Sequence, residues 1–155
     1  MDQAPRVDPD VDLHEPADRR ELAAGRWSVL AAISAGGVLG ALGRTLLQQA
    51  APTRAGGFPW ATFTINVTGC LLIGILMVLV SRRWPDRRLL RPFAGVGVLG
   101  GFTTFSAYAL EVHEAVAVGA VPVALGYLAG TVFAALLAVT AGTALAERLV
   151  PELRR

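Results

Sequence analysis

RPFAGVGVLGGFTTFSAYALE, residues 91–111, is the stretch whose reading decides the fold. No residue between Arg91 and Glu111 is charged, and the run is about as long as the ~20 residues a helix needs to cross ~30 Å of hydrocarbon. Three further runs share this character. Trp27 to Gly43 is uncharged, and no Asp, Glu, Lys or Arg lies between Arg54 and Arg82 or between Glu114 and Glu147. The chain has 155 residues, 54% of them hydrophobic, and lacks the evenly scattered charge of a soluble domain. The pattern predicts an all-α membrane protein of four transmembrane helices: about 27–47, about 59–80, about 92–118 and about 122–147. The link from Gly119 to Pro122 is so short that the last two must be antiparallel neighbours.

The third run also contains the exception to its own regularity. Gly100-Gly101 and Thr103-Thr104 interrupt it, and in hydrocarbon every freed N–H and C=O must still find protein, water or an ion. The third helix is therefore expected to be broken, and Gly-Gly-Phe-Thr-Thr becomes a candidate functional site. The competing reading is a packing kink whose Thr hydroxyls bond back to their own helix. Small residues recur four apart, as at Gly36, Gly40, Gly126 and Gly130, the spacing that lets helices approach closely.

Outside the four-helix domain at 27–149 lie two tails. Residues 1–26 are polar, acidic and interrupted by Pro5, Pro9 and Pro16, a composition that favours disorder. They have neither the basic start nor the apolar centre of a signal peptide. Residues 150–155 form a short C-terminal tail.

Every cationic side chain is Arg, and the net charge is +2. No basic helix face carries interleaved aromatics, which argues against nucleic acid as a partner. Arg6, Arg19, Arg20, Arg26, the group Arg82, Arg83, Arg87, Arg88 and Arg91, and Arg148, Arg154 and Arg155 all fall on one side of a four-span topology. Arg44 and Arg54 fall on the other. The positive-inside rule predicts cytoplasmic N and C termini, and the expected location is the plasma (inner) membrane. The middle Arg loop is also within reach of anionic membrane lipid.

Gly95-Val-Gly97-Val-Leu-Gly100 matches G-x-G-x-x-G, but a dinucleotide site needs a preceding strand and a βαβ unit, and this stretch is a membrane helix. His113 beside Glu114 has no further His or Cys at ligand spacing. The lone Cys70 closes no intrachain disulfide and reads as a small residue facing lipid or core. With no nucleophile and base pair, an enzyme is not expected. The remaining polar groups of the spans are mostly neutral donors, among them Thr62, Asn66, Thr103, Thr104, Ser106, Tyr108, Tyr127 and Thr131. Such groups can replace part of an anion's hydration without trapping it, which is the requirement for conduction. Phe105 and Tyr108, three apart, share a helix face and can turn electropositive ring edges to one ion.

Three motifs give these residues a family context. Gly37-Val-Leu-Gly40-Ala41-Leu-Gly-Arg44, Thr62-Phe-Thr-Ile-Asn66-Val-Thr-Gly69 and Gly100-Gly101-Phe102-Thr103-Thr104-Phe105-Ser106 stand in order on helices 1, 2 and 3. Over Trp27 to Leu149 the chain resembles the Fluc/CrcB family of fluoride channels. The resemblance implies an antiparallel dimer with one or two fluoride pores. It also implies a structural, untransported Na+ at the dimer centre, held by the backbone carbonyls of Gly100 and Thr103. It assigns fluoride contacts to Asn66 and Phe105 and a polar track to Tyr127 and Thr131, puts Glu111 near a pore end, and makes Arg44 an anchor of helix 1. The family's F-S-T-F reads Phe105-Ser106-Ala107-Tyr108 here. A self-pairing antiparallel subunit must insert both ways, whereas the Arg bias favours one orientation. A separately encoded, oppositely oriented homologue is therefore the favoured partner over a second copy.

Two other classes fit the sequence less well. A small multidrug transporter is also a four-helix antiparallel dimer, but it needs a carboxylate in the first helix, and helix 1 has none. A non-conducting assembly subunit does not account for Asn66, Phe105 and the Gly-Thr break occurring together.

Overall fold

The computed structural model describes residues 26–150, so most of the two tails, 1–25 and 151–155, lies outside the described residues. Helix α1 spans Arg26–Ala50, α2 Trp60–Arg83, α3 the single turn Gly100–Phe102, α4 Phe105–Ala117 and α5 Val121–Leu149. A π-helix over Arg91–Leu99 runs directly into α3. Four segments, Arg26–Ala50, Trp60–Arg83, Arg91–Ala117 and Val121–Leu149, are long and apolar enough to cross a membrane.

The helix ends lie one to three residues from the positions expected from sequence, for local reasons. α1 continues past 47 through good helix formers and stops at Ala50, just before Ala51, whose α conformation is disfavoured by Pro52. α2 was expected to end before Arg82 but runs through Arg83. Cationic side chains in a last turn complement the negative carbonyl end, and the stop is set instead at Trp84 by Pro85. At the start of α5, Pro122 occupies a first-turn position where no N–H is needed.

Packing follows the small residues on two seams. α1 lies chiefly on the π-helix and α3, and α2 chiefly on α5. A Cβ on Gly40 would overlap the carbonyl of Val98, and one on Gly142 would overlap the carbonyl of Leu71. Glycine at these points lets backbone meet backbone. Gly126 and Gly130, whose spacing predicts a helix contact, meet nothing within 4 Å among the described residues of the subunit. They lie on the outward part of α5, because it is Ala124, Tyr127 and Thr131 that turn inward.

The core is slight and sits between α2, α4 and α5, where Thr62, Ile65, Ala124 and Tyr127 are all but inaccessible. Even the best-covered span, Trp60–Arg83, has only 28% of its apolar window buried. Leu39, Leu42, Leu46, Phe133, Leu136 and Leu137 are all more than half exposed. An apolar surface of that extent must face lipid tails or another subunit.

Candidate functional site

The third span is interrupted at two residues. Thr103 has ψ 156° and Thr104 has φ −148° and ψ 123°, both extended, between the turn Gly100–Phe102 and the helix Phe105–Ala117. Two side chains stabilise this geometry. Thr104 caps α4, its Oγ1 accepting from the N–H of Ala107 at 3.2 Å. Asn66, on α2, pairs with the backbone of the same residue twice: its Oδ1 accepts from Thr104 N–H at 2.9 Å, and its Nδ2 donates to Thr104 C=O at 3.0 Å.

These bonds have a consequence for the carbonyls. In an unbroken helix the N–H of Thr104 would bond to the carbonyl of Gly100, and that of Ala107 to the carbonyl of Thr103. Both N–H groups are spent on side-chain oxygens instead, and Gly100 is exposed on the subunit surface. Carbonyl oxygens without their helical donors are fitting ligands for a hard cation. The hydroxyl of Thr103 does bond back to its own helix, at Leu99 C=O 3.0 Å away, so the kink reading describes that side chain alone.

Asn66 forms part of the wall of a groove of about 270 Å3, with Thr103, Thr104, Phe105, Tyr108 and Thr131. One amide hydrogen of Asn66 is used on Thr104, which leaves a second. Thr131 is 5% exposed, and its hydroxyl has no partner among the described residues. A buried, unpaired donor costs about 1–3 kcal/mol, so its presence in a groove wall calls for an explanation. Phe105 is 79% exposed and stands 5.7 Å, centroid to centroid, from Tyr108. The Tyr108 hydroxyl is not free: it donates to the carbonyl of Leu128 at 2.7 Å and so ties α4 to α5.

A second set lies one helical turn along. Gln48 Nε2 donates to Thr62 Oγ1 at 3.2 Å, Thr62 donates to Glu111 Oε1 at 2.7 Å, and Tyr127 donates to Glu111 Oε2 at 2.7 Å. The chain of bonds thus joins α1, α2, α4 and α5 through one carboxylate that accepts on both oxygens. Beyond it opens a cavity of about 380 Å3 whose wall includes Gln48, Arg54, Glu111 and Glu114. Thr62 and Asn66, Phe105, Tyr108 and Glu111, and Tyr127 and Thr131 follow one another at helical spacing on three helices. Tyr108 and Tyr127 stand 5.1 Å apart, edge to face.

Not every expected residue joins this line. Ser106 is exposed, with its hydroxyl 3.3 Å from that of Thr104. Arg44 is half-buried, its Nε has no partner among the described residues, and α1 continues past it to Ala50. Two wall residues were not anticipated. Cys70, read as facing lipid or core, lines the groove one turn beyond Asn66, and Gln48 reaches Thr62. The i, i+4 relation to Asn66 was the available signal for Cys70; nothing comparable marked Gln48.

Comparison with known proteins gives a consistent picture. Residues 31–143 match the family described as CrcB-like protein, Camphor Resistance (CrcB). The chain is 59% identical over 128 residues to the fluoride-specific ion channel FluC 2 of Nocardia farcinica, covering 83% of this chain and 91% of that one. It is 46% identical over 124 residues to FluC 2 of Streptomyces avermitilis, covering 80% and 78%. With FluC 1 of Streptomyces coelicolor it shares 48% over 122 residues, 79% of each chain.

Proposed function

The chain belongs to the CrcB-like family, and from that premise we propose that it is one subunit of a fluoride-specific channel through which cytoplasmic fluoride leaves by passive conduction, lowering its toxicity. It is a channel and not an enzyme. The observation that carries the assignment is the double pairing of Asn66 with Thr104, which fixes the amide and leaves one N–H over a groove walled by Phe105, Tyr108 and the unpaired Thr131 hydroxyl. Fluoride holds its water tightly, so a path through hydrocarbon has to offer replacement donors without a fixed cation to trap the ion. Asn66 and Thr131 supply such donors, and Phe105 adds a ring edge. Tyr127, Thr62 and Glu111 continue the polar line towards the cavity at Gln48. Ser106 lies at the edge of this path.

The functional unit is an antiparallel dimer embedded in the plasma membrane, with the N and C termini of this subunit cytoplasmic. The large exposed apolar surface supports a partner, and the Arg distribution supports the orientation. The partner is a homologous subunit inserted the opposite way, in preference to a second copy. At the dimer centre, the carbonyls of Gly100 and Thr103 would hold a structural Na+ that joins the two broken spans and is not transported. Arg44 would anchor the outer end of α1.

Efflux from liposomes containing the purified protein, alone and mixed with a candidate partner, tests the proposal. Fluoride leaves and chloride does not. Asn66→Asp, which places a negative charge where the ion is to pass, abolishes the fluoride leak. Equal chloride efflux would remove the selectivity claim, and normal conduction by the Asp variant would remove Asn66 from the path.

A further inference from the structure

The stretch from Arg82 in the last turn of α2 to Arg91 at the start of the π-helix concentrates charge in a way that the conduction path does not use. Of its five arginines, Arg82 is committed within the subunit: it donates to the carbonyl of Val150 at 3.0 Å and to Glu147 Oε1 at 3.3 Å, closing the end of α2 onto the end of α5. Arg83, Arg87, Arg88 and Arg91 are exposed and have no acidic partner among the described residues. Nearby lies a cavity of about 460 Å3 whose wall combines Asp86, Arg87 and Arg88 with Leu89, Leu90 and Phe93. That volume lies within the ~300–1,000 Å3 range of small-molecule sites.

We propose that this cavity is a binding site for an anionic phospholipid, with the phosphate held by Arg87 and Arg88 and the upper acyl chain lying on Leu89, Leu90 and Phe93. The split of the wall decides the ligand class. Guanidinium groups present a planar fork of donors that matches phosphate oxygens, and they desolvate more readily than ammonium groups. A soluble phosphate would use that rim but has nothing to place against the leucines. A phospholipid uses both. The height is right too, because Arg91 begins a membrane-spanning segment, Arg91–Ala117, and Trp84, 38% exposed, sits in the loop where aromatic side chains meet the interface. Basic residues at a membrane surface each add about 1 kcal/mol of attraction to anionic lipid, so the two other unpaired arginines strengthen the site without touching the headgroup. The assignment is independent of what the subunit conducts.

The test is native mass spectrometry of the full-length protein in detergent, titrated with phosphatidylglycerol or with phosphatidylcholine of the same chains. The expected result is about fivefold more phosphatidylglycerol than phosphatidylcholine bound at equal concentration. Arg87→Gln/Arg88→Gln brings that ratio close to one, while Arg54→Gln, at the other end of the molecule, leaves it unchanged. Leu89→Ser, which keeps every charge, lowers phosphatidylglycerol retention about threefold by removing part of the apolar floor. A ratio near one in the unmodified protein overturns the site, as does a ratio that survives the double substitution. Displacement of lipid by an equal concentration of inorganic phosphate, or full retention in Leu89→Ser, would show a soluble-anion site and overturn the lipid assignment.

Discussion

At the scale of single residues, the proposed path sets stability against conduction at Thr131. Its buried hydroxyl has no partner, and a group left so costs about 1–3 kcal/mol. Thr131→Val keeps the shape and deletes the cost, so thermal unfolding in detergent is expected at a higher temperature while fluoride efflux falls about tenfold, the equivalent of one lost hydrogen bond of ~1.4 kcal/mol. A variant both less stable and fully conducting would show the hydroxyl to be a packing group. Tyr108 is the converse. Its hydroxyl is spent on Leu128 C=O, so Tyr108→Phe should cost about 0.5–1.5 kcal/mol of stability and leave efflux within about twofold. The sequence made Asn66, Phe105 and Tyr108 legible because neutral donors and ring edges are unusual in an apolar run. It did not reveal Gln48 or the groove face of Cys70, because membership of a wall depends on how α1 and α2 are rotated, and a helix apolar on all sides leaves no periodicity from which to read rotation.

At the scale of elements, the four charge-free runs translated directly into spans because the bilayer fixes their length. The fine structure of the third span did not. A π-helix over Arg91–Leu99 differs from an α-helix by one residue in its hydrogen-bond step, a change with no side-chain signature. The glycine seams were visible as spacing but not as partners, and that distinction can be measured. On Gly40 a Cβ meets the carbonyl of Val98, whereas on Gly126 it meets open space. Gly40→Val is therefore expected to separate α1 from the π-helix at a cost of about 1–3 kcal/mol, the usual penalty of overpacking. Gly126→Val should leave the isolated subunit unchanged. Unfolding monitored by circular dichroism in a detergent that holds the protein monomeric compares the two directly, and equal destabilisation would contradict the packing described here. Should Gly126→Val act only once a partner is added, that outward strip of α5 belongs to the subunit interface.

At the scale of the whole molecule the apolar surface and the charge distribution make different demands. The surface needs lipid tails or a partner against it, since the core between α2, α4 and α5 is too thin to cover the outward faces of α1 and α5. In the proposed dimer, the charge bears on which partner is taken. Arg82, Arg83, Arg87, Arg88, Arg91 and Arg148 gather at one end of the described helices, with Arg44 and Arg54 towards the other. A biological insertion scale places Arg at about +2.5 to +3.5 kcal/mol at the centre of a span, so the end that carries the cluster is the end that stays behind. If one orientation dominates as proposed, an antiparallel pair made only of this chain would have to draw on the minor population. Expression in cells lacking other fluoride exporters should accordingly give weak fluoride resistance from this chain alone and strong resistance when a homologue of opposite Arg bias is supplied. Replacing Arg82, Arg83, Arg87, Arg88 and Arg91 by Gln should weaken the bias, and resistance without a partner should rise if insertion is what limits assembly. Accessibility of a single reporter cysteine placed in the Asp86 loop, in a Cys70→Ser background, reads the orientation independently. Full resistance from the unmodified chain by itself, with that cysteine labelled from both sides, would establish a self-paired, dual-topology channel and reverse the choice of partner.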